Sequence, residues 1–225
     1  MSTQLLLTSS GMVNNIWFTV HKGLTNKMNN KTSVMMSHTT LCEKRSLDKK
    51  SICSRCYSRK LSTYRKKSSM TRYMEHNSRV LRGIITEPFT KLSTPDGTLR
   101  YNSTGDNITD SEVVNIFHHA RVNVQLQCAV WTKNFGLYHR VMKSIKPPKN
   151  LNLVWSMSRL NSFKFIIPKG FTKSFYVYSK AEILNEAMTQ ARQQGFSVVE
   201  CQKQCASCNK CYTNKSKQII MELIR

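Results

Sequence analysis

The chain has 225 residues, with 35 Lys and Arg against 12 Asp and Glu, a formal net charge of +23. Forty per cent apolar residues is enough for a packed core and excludes a disordered tail. No run approaches 18 apolar residues, which excludes a helix that spans a bilayer. The charge calls for a polyanionic partner, nucleic acid first. The first residues carry no basic n-region, so a signal peptide is not expected and the eight cysteines read as metal ligands of a cytoplasmic protein rather than disulfides.

In chain order, residues 16–20 read as a first strand, rich in β-branched and aromatic side chains. Residues 58–81 contain no Gly or Pro and read as a long basic helix. A strand at 98–102 runs into the turn-forming cluster 103–106. Thr109 and Glu112 form a capping box that opens a helix carrying Val113, Val114, Ile116 and Phe117. A strand at 124–132 follows, then a short helix through Leu137 and Val141 that Pro147 and Pro148 stop. Residues 151–156, 164–167 and 175–178 supply further strand. Ser179 and Glu182 suggest a second capping box, with Ile183, Leu184, Ala187, Met188 and Ala191 on one helix face and Gly195 past its end. A last strand at 196–199 delivers the chain into the C-terminal cysteines. Strands alternating with helices predict an α/β fold of βα repeats around a parallel sheet. Ligands bind at the C-terminal ends of such strands, where the unusual residues of this chain fall.

Cys42, Cys53 and Cys56 are spaced C-x10-C-x2-C, and Cys201, Cys205, Cys208 and Cys211 are spaced C-x3-C-x2-C-x2-C. A C-x2-C step lets two thiolates reach one metal, and tight runs with gaps of two or three suit a 4Fe–4S cube. One or two such clusters are expected, with zinc as the alternative. Cys128, in the apolar stretch 125–131, reads as core, and His118-His119 as surface or core. Arg59, Lys60, Arg65, Lys66, Lys67 and Arg72, with tyrosines interleaved, read as a nucleic-acid-binding helix face.

A three-cysteine loop ending C-x2-C after an early strand resembles the cluster loop of radical S-adenosylmethionine enzymes, though the usual first gap is three residues. At the level of the whole chain, Cys53-Ser-Arg-Cys56-Tyr57, the stretch from Arg100 through Ser103-Thr-Gly-Asp106, Ala129-Val-Trp-Thr-Lys133 and Cys208-Asn-Lys-Cys211-Tyr212 resemble the phage gene-product-88 family. The resemblance implies a partial, open TIM-like barrel over residues 1–200, with the first cysteine loop at 42–56 and a cysteine-rich segment at 201–225 packing back on it. It further implies S-adenosylmethionine as a cosubstrate, with Gly105, Asp106, Ser156 and Ser158 on the cofactor side and Lys133 as catalytic candidate. A phage origin would place the protein in the host cytoplasm. The rival expectation is a non-catalytic iron–sulfur or zinc protein that regulates nucleic acid or a host protein.

Overall fold

The computed structural model describes residues 20–22, 31–56, 59, 69–83, 89, 91–201, 205, 208–213 and 216–224. Eight strands form one open sheet in the order β1-β2-β3-β4-β5-β6-β8-β7. These are β1 (Val20–Lys22), β2 (Thr32–Val34), β3 (Thr98–Tyr101), β4 (Gln127–Thr132), β5 (Leu151–Ser156), β6 (Lys173–Tyr178), β7 (Val198–Glu200) and β8 (Gln218–Leu223). The short edge strand β1 pairs antiparallel with β2, and every other pairing is parallel. The described helices are α1 (Thr40–Leu47), α2 (Ser69–Arg82), α3 (Asp110–Val122), α4 (Phe135–Val141), α5 (Ala181–Gln193) and α6 (Lys210–Thr213), with a 3-10 turn at Ile52–Arg55. No helix among the described residues is long and apolar enough to cross a membrane.

The strand order fixes where the helices go. From β2 to β6 each strand lies beside its predecessor in one direction, so right-handed crossovers put the connecting helices on one face. That face carries Leu99, Tyr101, Cys128, Val130, Leu153 and Trp155, which pack with Val113, Ile116 and Phe117 of α3. Farther along, Tyr176, Tyr178, Ile219 and Met221 pack with Leu184, Ala187, Met188 and Ala191 of α5. Each large side chain buried in this way contributes roughly 1.5–3 kcal/mol. After β7 the direction reverses, because β8 inserts between β6 and β7. By the same handedness rule, the β7–β8 connection, which carries the C-terminal cysteines, crosses the opposite, inner face. There α6 packs against β4 and β5.

Several expectations need correction. Of residues 16–20 only Val20 is described, and the strand that precedes the first cysteines is β2. Thr32 and Ser33 are buried although polar, so β2 lacks the apolar run by which a strand is recognised. The basic helix is seen as α2; residues 57, 58 and 60–68 lie outside the described residues. Residues 164–167 are not a strand: the Tyr176 hydroxyl accepts from the Ile166 amide and donates toward the carbonyls of Lys164 and Ile166, so side chains replace the ladder. The capping box at Thr109 and Glu112 forms as expected. The one at Ser179 does not, because Ser179 pairs with Asn161 and α5 starts after Lys180 without a side-chain cap. The helix α4 ends at Val141, well before the prolines. Strand β8 was not anticipated at all, so the C-terminal segment ends inside the sheet.

Candidate metal centres

The first cysteine group is held by caps. Thr39 caps α1, accepting from the Cys42 amide at 3.3 Å while its hydroxyl donates to Cys42 Sγ at 3.4 Å. Ser51 caps the 3-10 turn by accepting from the Cys53 amide at 3.1 Å, and the Cys56 amide donates to the Cys53 carbonyl. Both caps satisfy amides that a helix start leaves without partners. They also fix the backbone at Cys42 and Cys53.

This segment is a strap across the C-terminal ends of the strands. At one end the Ile52 amide donates to the Ser158 carbonyl at 2.8 Å and the Leu160 amide to the Lys50 carbonyl at 2.8 Å, with Ser51 bridging antiparallel to Arg159 beyond β5. At the other end Arg45 donates to Asp106 Oδ2 at 3.0 Å, beyond β3. Asp106 is 3 % exposed, and its two oxygens receive four donors. Oδ1 takes the Thr132 hydroxyl at 2.7 Å and the Asn107 amide; Oδ2 takes Arg45 and the Lys133 amide at 3.1 Å. Such a carboxylate has about four acceptor positions, so Asp106 is saturated as a tie between α1, β3 and β4. Gly105, at φ +69°, lies against the segment after β2: a Cβ there would be 2.3 Å from the Ser37 carbonyl oxygen and 2.5 Å from that of Met36.

Cys42, Cys53 and Cys56 line one partly enclosed pocket. Arg45, Arg59, Lys133 and His38 share its wall, and Gly105 and Asp106 complete it. Three thiols from two turns thus meet the basic side chains of Arg45, Arg59 and Lys133, while the one carboxylate is already paired to Arg45. Of the residues expected on the cofactor side, Ser156 ends β5 buried, and Ser158 anchors the strap through its carbonyl. Neither lines the pocket. Arg59 belongs to the pocket, Arg72 is exposed on α2, and Lys60, Arg65, Lys66 and Lys67 lie outside the described residues. Arg45 was missed, although its place three residues after Cys42 on a helix put both on one face.

None of the second group lines that pocket. Cys201 follows β7 and donates its amide to the Met221 carbonyl at 2.7 Å; the Cys208 amide reaches the Cys205 carbonyl at 3.2 Å. Burial pushes the Cys211 thiol up to about 12, with Cys201, Cys205 and Cys208 adding to the rise and Arg100 opposing it. The segment is clamped to the inner face: Tyr212 is buried with its ring 6.0 Å from that of Trp131, and its carbonyl accepts from Asn152 Nδ2. Lys31 donates to Asn209 Oδ1 at 2.6 Å while paired with Asp96 at 2.6 Å.

All eight cysteines are free thiols, and Cys128 is buried in the core. His119 is also core, with the Tyr101 hydroxyl 2.6 Å from its Nδ1. Among the described residues, no three His, Cys, Asp or Glu side chains are drawn together as a ready metal-ligand set. The donor chemistry nevertheless fits a thiophilic metal: three thiols around one pocket, and four within one short segment. No protein family, curated protein or solved structure matches the chain.

Proposed function

We propose that the protein binds an iron–sulfur cluster through Cys42, Cys53 and Cys56 and presents it to an anionic substrate or partner, nucleic acid above all. The observation that carries this reading is the shared pocket, in which three thiols from two capped turns stand among Arg45, Arg59 and Lys133. Cys42, Cys53 and Cys56 would hold such a cluster by three thiolates, one fewer than a fully protein-ligated cube takes. When bound, such a cluster would supply electron transfer at that site. The chain's own residues do the rest. Thr39 donates a hydrogen bond to the Cys42 sulfur, the two anchored ends of the strap hold the loop over the strand ends, and Arg59 and Lys133 attract negative charge.

The likeness to radical S-adenosylmethionine enzymes and to the phage gene-product-88 family remains part of the proposal. It is supported by the consecutive strand order β2 to β6 with helices on one face, the arrangement a partial TIM-like barrel requires. The saturation of Asp106 moves that residue from cosubstrate ligand to scaffold, so S-adenosylmethionine would have to be held by other groups. Iron and sulfide analysis of anaerobically prepared protein tests the reading. Protein that takes up zinc but no iron under those conditions would favour the zinc-stabilised binding module instead.

A further inference from the structure

Phe135, the first residue of α4, keeps 42 % of its surface open to solvent. Of the large apolar side chains that stand exposed among the described residues, it is the aromatic one. Its place is nevertheless fixed. The turn that delivers it from β4 is tied by the Lys133 amide on Asp106 Oδ2 and the Asn134 amide on the Thr132 hydroxyl at 2.9 Å. Asn134 Nδ2 adds a bond to the Asn107 carbonyl at 3.1 Å. The ring itself packs edge to face with Trp155 of β5, 5.6 Å between centroids and 76° between planes. A solvent-facing ring held by this much structure takes a flat partner with little further loss of freedom.

Cations surround this part of the sheet edge. Two residues before the ring, Lys133 lines the cysteine pocket with Arg59. On the β5 side, exposed Lys50 and Arg159 belong to the seam where the strap bridges to the chain beyond that strand. The carboxylates of the same edge, Asp106 and Asp110, are paired with Arg45 and Arg140. We propose that Phe135 stacks on an unpaired base of a single-stranded nucleic acid whose phosphates lie along Lys133, Arg59 and Arg159. The inference rests on the nucleic-acid part of the reading above and names the form of nucleic acid taken. Cations alone attract single strands and duplexes alike. An unpaired base offers its face to a ring, whereas the bases of a duplex cover one another. Every base has such a face, so the stacking is tolerant of sequence.

The test uses anaerobically prepared full chain, with its iron measured, and three labelled probes followed by fluorescence anisotropy. These are oligothymidylate of about twelve nucleotides, its duplex with oligoadenylate, and an abasic strand of the same length. The parent should bind oligothymidylate more tightly than the duplex. F135A should weaken that binding about five-fold or more, and F135W should keep it. The abasic strand should bind parent and F135A equally, which also shows that the variant is folded. Equal binding of oligothymidylate by parent and F135A, or an equal loss on the abasic strand, would overturn the role of Phe135. A parent that prefers the duplex would overturn the single-stranded assignment. Failure of the parent to bind any of the three would remove nucleic acid as the partner altogether. Iron-free protein that still shows the Phe135 effect would contradict the cluster and leave the stacking site standing.

Discussion

Asp106 shows how a residue that reads as a ligand becomes a scaffold. With four donors on its two oxygens, it joins the cysteine-bearing helix α1 to the ends of β3 and β4. D106N removes the charge that pairs Arg45 and should destabilise the fold by about 3 kcal/mol, the usual cost of breaking a buried pair. Urea unfolding measures it; an unchanged midpoint would mean the tie carries no load. Gly105→Ala should also destabilise, by about 2 kcal/mol or more, because the new Cβ meets two carbonyl oxygens at a positive φ. His119 gives a pH signature. Burial, with a smaller contribution from His118, lowers its pKa to about 3, against an ordinary value of 6.5. Between those values the unfolded chain binds a proton that the native state does not, so stability falls as pH drops below 6.5, by up to about 1.4 kcal/mol per unit. H119Q should flatten that fall between pH 7 and 5, and parallel curves for variant and parent would contradict the assignment.

At the scale of elements, the strap over residues 48–56 is what turns a sequence motif into a site. The Ile52 amide supplies one of the two backbone hydrogen bonds that hold it beyond β5, so I52P should loosen the pocket while leaving the core intact. Faster alkylation of Cys53 and Cys56 with an unchanged unfolding transition is the expected outcome; unchanged alkylation would show that the strap does not govern the pocket. Elements whose signal was local were legible in the sequence: β3, β5, the capping box of α3 and the apolar face of α5. Elements defined by distant partners were not. Strand β2 is polar yet buried because loops beyond β3 close over it, with the Ser103 amide on the Val34 carbonyl and the Met36 amide on the Thr104 carbonyl. The stretch 164–167 looks like a strand, but its partners are hydroxyls of β6. The three cysteines of the pocket were legible from their spacing. Arg45 was not recognised, and Arg100 drew attention only within the family motif, because a cation in a helix or strand announces nothing until the fold shows what faces it.

At the scale of the whole molecule, the reversal at β7–β8 carries the helix of Cys211 onto the inner face, while Cys42, Cys53 and Cys56 line the pocket under the strap. The net charge of +23 then bears on the first site, whose wall carries Arg45, Arg59 and Lys133. Binding to single-stranded RNA or DNA should weaken with salt, with a slope of log affinity against log salt of about −0.7 per phosphate contact. Replacing Arg59 and Lys133 with Gln should make that slope shallower, and a slope unaffected by salt in the parent would remove nucleic acid as the partner. The most direct test of the central claim is metal analysis of C201S/C205S/C208S/C211S prepared without oxygen. The account predicts about four iron and four sulfide per chain, as a single cube requires, lost when Cys42, Cys53 and Cys56 are also replaced. A folded variant that holds no iron, or holds zinc alone, would contradict it.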